Sequence, residues 1–100
     1  MWNPTTQEQL AIIVEDSLNA CTQQQAEAFS RFRVPFQQVP IRRGTKLENV
    51  LVVAYMPAGP LYYDDIEGGF ELAELDACGV IVNSEANQFK LNQVLSRMGF

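Results

Sequence analysis

The sequence predicts an α+β fold, in which a long N-terminal helix packs on a curled antiparallel sheet of about four strands and a C-terminal helix follows. Three observations support this prediction. Apolar residues recur at helical spacing from Leu10 to Phe32, short apolar segments separated by Gly and Pro follow up to residue 82, and helical spacing returns after residue 84. A chain of 100 residues, 47% of them apolar, suffices for one core, so we expect residues 1–100 to form a single domain.

The first helix is predicted to begin at Asn3-Pro4, with Thr5 and Glu8 as a capping box one residue later. Its buried stripe is formed by residues at 3.6-residue spacing, namely Leu10, Ile13, Val14, Leu18, Cys21, Ala28, Phe29 and Phe32. Thr22 and the glutamines after it are the weak points of this pattern, so a break near residues 20–23 stays open. Pro35 ends the helix at the latest.

Extended chain follows the helix. Residues 34–43 contain Pro35 and Pro40, which restricts this segment to a sheet edge or an irregular strand. A turn at Gly44 leads to residues 50–56, the strongest strand in the sequence. Because this strand is apolar on both of its faces, both faces of the sheet must be covered there.

The segments after residue 57 are expected to complete the sheet. A short strand is predicted at residues 61–63, and residues 70–75 are compatible with either a helix or a strand. We prefer a strand, because Asp76 and Gly79 fit the first and last positions of a type I turn. Residues 80–82 are then the returning strand.

A final helix is expected to begin with Ser84 as its N-cap and to end at Gly99. Its predicted inner face consists of Leu91, Val94, Leu95 and Met98.

Charge is distributed unevenly along the chain, whose formal net charge is −5. Five of the seven basic residues fall in one stretch: Arg31, Arg33, Arg42, Arg43 and Lys46. Six carboxylates follow in a segment that contains no cation: Asp64, Asp65, Glu67, Glu71, Glu74 and Asp76. The sequence therefore predicts two patches of opposite sign, which would affect partner binding more than folding.

The acidic loop is the first candidate site. Tyr62, Tyr63, Asp64, Asp65 and Glu67 are predicted to form a partner-binding face, since tyrosines beside charges are typical of interfaces. A solvated hairpin loop is the alternative interpretation. A cation site is disfavoured because the spacing matches no EF-hand loop.

The basic stretch is the second candidate. Arg42, Arg43 and Lys46 flank a glycine turn, where two guanidinium groups can contact a phosphate or a partner. We favour the alternative of a charged sheet edge that blocks edge-to-edge association. No aromatic residues interleave with these cations as single-strand binders require, and the net charge repels a polyanion.

Two apolar residues are predicted to lie on the wrong side of their helices. Ile12 points away from the stripe of the first helix, and Phe89 lies opposite Leu91 on the last one. Together with the two-faced strand 50–56, these residues favour a homodimer slightly over ordinary exposure of single apolar side chains.

Several functional classes are excluded or disfavoured by composition. With no histidine in the chain, His-based triads and His-ligated zinc sites are excluded, and Cys21 and Cys78 have no metal-ligand spacing, so we expect neither metal nor cofactor. The sequence shows no basic leader and no long apolar run, which favours a cytoplasmic protein that does not enter a membrane.

Three functions remain open. We favour a small non-catalytic interaction or regulatory module, such as an inhibitor, an immunity-type protein or an adaptor, which binds a protein partner through the acidic face. The first alternative is a histidine-independent enzyme with Asp64 and Tyr63 as acid–base groups in the cup of the sheet. The second is a weak nucleic-acid binder that uses Arg42, Arg43 and Lys46.

Overall fold

The computed structural model describes residues 5–82 and 89–100. Over these residues the elements are α1 (Gln7–Asn19), α2 (Gln23–Phe32), β1 (Arg33–Arg43), β2 (Lys46–Met56), β3 (Gly59–Asp64), β4 (Gly69–Leu72) and α3 (Leu91–Arg97). The strands form one antiparallel sheet in the order β1-β2-β3-β4. The predicted α+β class, with helices at both ends and a curled antiparallel sheet, is confirmed. None of the helices in these described ranges is long and apolar enough to cross a membrane.

The predicted long N-terminal helix is two helices, because a second capping box restarts the helix at Thr22. Thr22 Oγ1 accepts a hydrogen bond from Gln25 N at 3.1 Å, and Gln25 Oε1 accepts one from Thr22 N at 2.9 Å. This reciprocal arrangement satisfies backbone amides that are free only at a helix start. The break therefore falls where the sequence left it open, at residues 20–22.

The start of α1 also differs from the prediction. Thr6 and Gln9 form its capping box, with distances of 3.1 and 2.9 Å, in place of Thr5 and Glu8. Threonine is followed three residues later by glutamine at both helix starts, so the same short motif begins α1 and α2. The predicted cap at Asn3-Pro4 lies outside the described residues.

The three helices cover one face of the sheet and form the main core with it. This core contains Leu10, Val14, Phe29, Val53, Ala54, Met56, Leu61, Phe70, Leu91, Val94 and Leu95. The predicted inner face of the last helix is confirmed for Leu91, Val94 and Leu95, all of which are buried. The helix begins at Leu91 with Lys90 as its N-cap residue, and the predicted cap Ser84 lies outside the described residues.

A second, smaller core lies on the other face of the sheet. It consists of Ile41, Val50, Val52, Tyr62 and Ile81. Residues 50–56 of β2 are therefore covered on both faces, as their apolar pattern predicted. The pairing of β2 with β3 shifts by one residue between Val52 and Ala54, which is why Val53 and Ala54 both belong to the helix-side core.

The segment after β4 closes the curl of the sheet. Residues 70–75 are strand rather than helix as far as Leu72, and Ala73 N still bonds Pro60 O at 2.7 Å. The turn predicted at 76–79 is present, since Gly79 N bonds Asp76 O at 3.1 Å and Gly79 has a φ of 80°. Beyond the turn, Val82 N bonds Glu74 O at 2.8 Å.

The returning residues 80–82 do not form a full strand, but they reach the outer edge of β1. Ile81 makes isolated bridges to Leu75 and to Ile41, and its N and O atoms bond Pro40 O and Arg42 N, each at 2.9 Å. Backbone hydrogen bonds thus run from β1 through β4 and the 74–82 hairpin back to β1. The predicted position of β1 at the end of the sheet is confirmed, but part of its edge is paired.

We predict that Ile81 holds this closure through its side chain. Ile81 is 0% exposed in the second core, so Ile81→Ala should lower the free energy of unfolding by about 2–5 kcal/mol in urea denaturation. The matched control is Ile12→Ala, because Ile12 is 64% exposed and its truncation should cost less than about 0.5 kcal/mol. Equal losses in the two variants would contradict the assignment of Ile81 to a core.

Candidate functional site

The basic stretch and the acidic loop meet at an ion pair between Arg43 and Asp64. Arg43 donates from Nη1 to Asp64 Oδ2 at 3.3 Å and from Nη2 to Asp64 Oδ1 at 3.2 Å. The antiparallel register brings the end of β1 across β2 to the end of β3, which places these two residues side by side. Their side chains are 21% and 3% exposed, so the pair is largely removed from solvent.

Asp64 also shapes the acidic loop. Its Oδ1 accepts hydrogen bonds from Ile66 N at 3.0 Å and Glu67 N at 3.2 Å, and Gly68 N bonds Asp64 O at 2.7 Å. An aspartate in this position folds the chain that follows it into a tight turn. The acidic segment contains no cation of its own, but strand pairing brings Arg43 to Asp64 from a distant part of the chain.

Two further carboxylates lie around the Arg43 guanidinium. Arg43 Nε is 3.0 Å from Glu48 Oε2, and Arg43 Nη2 is 4.0 Å from Asp65 Oδ1. Burial by itself lowers the pKa of Arg43, but the hydrogen bonds and charge of Asp64, with Glu48 and Asp65 behind them, outweigh it and raise that pKa. Three carboxylates thus surround one permanently charged guanidinium.

A cleft of about 400 Å³ lies beside this cluster, between the N-terminal end of α1 and the strands β1 to β3. We call it the α1–sheet cleft, and its walls are formed by Thr5, Thr6, Gln7, Leu10, Gln38, Glu48, Asn49, Val50, Leu51, Tyr63 and Asp65. The lining combines apolar side chains with hydroxyl, amide and carboxylate groups. Two of the predicted acidic-face residues, Tyr63 and Asp65, belong to it.

Strand alternation explains why Tyr63 reaches the cleft and Tyr62 does not. Neighbouring residues of β3 point to opposite faces, so Tyr63 lies on the helix side next to its cross-strand partner Leu51. The Tyr63 ring packs edge-to-face on Phe70, with ring centroids 5.2 Å apart. Burial and the charges of Asp65 and Asp64 raise the pKa of Tyr63, so its hydroxyl group is protonated at neutral pH.

Tyr62 is part of the second core and is 1% exposed. Burial, together with the charges of Asp64 and Glu71, raises the pKa of Tyr62. The predicted acidic face is thus divided by the structure. Tyr62 and Asp64 point to the interior, whereas Tyr63 and Asp65 line the cleft and Glu67 is partly exposed on the loop.

The basic residues 42–46 do not converge on one surface. Arg42 and Arg43 are adjacent on β1, so their side chains leave the strand on opposite faces. Arg42 Nη2 lies 4.0 Å from Asp76 Oδ2 and its side chain is 54% exposed, whereas Arg43 is enclosed by carboxylates. Lys46 is exposed at the start of β2. The arrangement does not present two guanidinium groups to one phosphate.

The residues proposed for dimer contacts also differ from each other. Ile12 is 64% exposed on α1. Phe89 precedes α3 instead of lying on it, is half-buried against the main core, and has the Arg97 guanidinium 4.6 Å from its ring centroid. Both faces of β2 are covered within the chain, so this strand no longer supports the predicted homodimer.

Sequence reasoning missed Glu48 and the polar residues of the cleft. Glu48 precedes the apolar run of β2, where a single carboxylate looks like an ordinary exposed position. The signal that was available is alternation, because Glu48 lies on the same face of β2 as Val50 and Val52, which belong to the second core.

No metal centre or disulfide accompanies this cleft in the part of the chain that the structure describes. Residues 5–82 and 89–100 contain no group of three or more Cys, Asp or Glu side chains arranged to hold a metal ion. Cys21 and Cys78 are both free thiols.

Comparison with known proteins identifies no relative. No protein-family model matches the chain, and no match was found among curated proteins or solved structures. The function is therefore inferred from the site alone.

We predict that Asp64 stabilises the fold and that its loop neighbour Glu67 does not. Asp64→Asn removes the carboxylate that accepts two hydrogen bonds from Arg43, while Glu48 and Asp65 remain, so the free energy of unfolding should fall by about 1–3 kcal/mol in urea denaturation at pH 7. Glu67→Gln, a matched change three residues later, should stay within about 0.5 kcal/mol of the parent. If Asp64→Asn leaves the free energy of unfolding unchanged, the ion pair does not stabilise the fold.

We predict that Asp76 makes stability dependent on pH below about pH 4. Backbone hydrogen bonds from Val80 N and Cys78 N, at 3.0 and 2.8 Å, with the charge of Arg42, hold the pKa of Asp76 below its ordinary value. Because the folded-state pKa is the lower one, the contribution is present above the unfolded-state pKa and is lost as pH falls through the folded-state pKa.

The measurement is denaturant unfolding of the parent and of Asp76→Asn between pH 7 and pH 2. The parent should be the more stable protein at pH 7, and the difference should shrink as the carboxyl group becomes protonated. A difference that stays constant over this range would contradict the prediction.

Proposed function

We propose that this protein is a small non-catalytic interaction module of the inhibitor or adaptor type, which binds a protein partner through the α1–sheet cleft. The observation that supports this proposal is the cleft itself, a concave surface of about 400 Å³ at which Tyr63 and Asp65 of the predicted acidic face lie together.

The chemistry of the cleft resembles a protein interface more than a reaction site. Leu51 and the Tyr63 ring supply apolar contact surface, and the amide groups of Gln38 and Asn49 supply both donors and acceptors. Protein interfaces combine an apolar centre, aromatic side chains and a polar rim in this way. A partner segment lying in the cleft can therefore bury apolar surface and still satisfy its own backbone groups.

The two alternatives receive less support from the geometry. Asp64 is 3% exposed and its carboxylate accepts four hydrogen bonds, so its oxygen atoms are not accessible to a substrate as a general base. Arg42 and Arg43 lie on opposite faces of β1, which separates the charges that a phosphate backbone would need. The prediction of a homodimer now depends mainly on the exposed side chain of Ile12.

Action in the cytoplasm is part of the proposal. Both cysteines are free thiols, as is usual in a reducing compartment. The exposed position of Cys78 makes this feature informative, because an exposed thiol is oxidised readily in an oxidising compartment.

The proposal is tested by filling the cleft. The tagged protein retrieves a partner from its native cell extract, and the purified partner is then titrated against the parent, Gln38→Arg and Gln24→Arg by calorimetry. Gln38 is an exposed residue in the cleft wall and Gln24 is an exposed residue on α2 away from it, so the two variants carry the same change. Gln38→Arg should weaken binding at least about tenfold, a loss of about 1.4 kcal/mol, and Gln24→Arg should not.

Thermal melts of both variants establish that they remain folded. If the partner binds Gln38→Arg as tightly as the parent, the cleft is not the binding surface and the proposal fails.

A further inference from the structure

We infer that the α1–sheet cleft receives an arginine side chain of the protein partner, whose guanidinium group pairs with Glu48 and Asp65. This inference rests on the proposed function and names the chemistry of the partner. Three independent features of the cleft support it: its charge balance, the incomplete pairing of Asp65, and the aromatic wall formed by Tyr63.

The charge balance around the cleft is negative. Asp64, Asp65 and Glu48 contribute three negative charges, and Arg43 is the one cation within 4.0 Å of them among the described residues. The N-terminus of α1 adds a partial positive charge of about half an elementary charge, which does not remove the excess. Because a concave surface of low polarity concentrates the field of its charges, the cleft attracts a cation.

Asp65 has acceptor capacity that the described part of the chain does not use. Its side chain is only 9% exposed, although it lines the cleft. Its contacts within residues 5–82 and 89–100 are a 3.3 Å hydrogen bond from Thr5 N to Oδ2 and a 4.0 Å ion pair from Arg43 to Oδ1. Among the described residues, Oδ1 has no donor nearer than Arg43 Nη2 at 4.0 Å, whereas a carboxylate that is nine-tenths buried normally accepts more and shorter bonds.

The geometry of Arg43 shows that one guanidinium can reach both carboxylates of the cleft. Arg43 contacts Glu48 through Nε and Asp65 through Nη2, while Nη1 and Nη2 each donate one hydrogen bond to Asp64. Glu48 and Asp65 both line the cleft, so a second guanidinium that enters it can approach the same two carboxylates. Its planar set of five donors suits two acceptors better than a lysine ammonium does.

Tyr63 adds a reason to prefer arginine over lysine. Its ring lies in the cleft wall and is held in place by the edge-to-face contact with Phe70. Guanidinium groups stack on aromatic rings, and such contacts are stronger when partly desolvated. The carbon stem of the arginine would lie along Leu51, which is partly exposed and lines the cleft.

The test uses the full chain and a minimal probe. The ¹⁵N-labelled protein is titrated with N-acetyl-arginine amide, and separately with N-acetyl-citrulline amide, which is nearly the same shape without the charge. We expect the arginine probe to shift the amide signals of residues 5–7, 48–51 and 63–65 with a Kd on the order of 1–10 mM, as suits so small a ligand. The citrulline probe should bind at least about tenfold more weakly, because it lacks the charge that pairs with the carboxylates.

Matched variants distinguish binding of the probe in the cleft from its attraction to the net negative charge of the whole protein. Glu48→Gln should weaken the arginine probe at least about threefold, and Glu27→Gln, which removes one exposed carboxylate on α2, should leave it unchanged. The folded state of Glu48→Gln is checked by its amide spectrum. Asp65→Asn provides a second variant should Glu48→Gln fail to fold.

The inference is overturned if the citrulline probe binds equally well, if the shifts lie outside the cleft, or if no shift is seen at about 50 mM probe. If the arginine probe fails and Gln38→Arg still weakens the natural partner, the cleft binds a partner without an arginine. If both experiments fail, the proposed function falls as well.

Discussion

The Arg43–Asp64 ion pair is the interaction on which the architecture of this site depends. A buried carboxylate is strongly unfavourable unless a cation and hydrogen bonds replace its water, and Asp64 receives both from Arg43 and from two amides of its own loop. The pair joins the ends of β1 and β3 and holds the loop that carries Asp65. It thereby positions the part of the α1–sheet cleft wall that Asp65 forms.

Closure of the curled sheet is the second constraint. The 74–82 hairpin carries Ile81 into the smaller core and pairs part of the outer edge of β1. The helices cover the opposite face, so the strongly apolar strand β2 is buried on both sides within one chain. The two apolar faces of β2 are therefore covered within one chain, and the α1–sheet cleft is the concave surface that we propose for partner binding.

Much of the secondary structure was predictable because its causes are local. The turn at Asp76 and Gly79 depends on four consecutive residues, and the burial of β2 follows from its own apolar run. The start of α2 was visible in the same way, since Thr22 and Gln25 form a capping box whatever the rest of the chain does. The long-helix prediction gave too much weight to the apolar stripe, which continues in phase across the break.

The sequence by itself determined the α+β class, the two-sided burial of β2 and the concentration of opposite charges in two segments. Only the tertiary structure decided what those charges do. Whether Arg42 or Arg43 faces the carboxylates, and whether Tyr62 or Tyr63 reaches the cleft, depends on the register of β1, β2 and β3, in which a shift of one residue exchanges the two faces. Register arises from contacts between residues far apart in the chain, so the sequence could not show that Arg43 of the basic patch meets Asp64 and Asp65 of the acidic one.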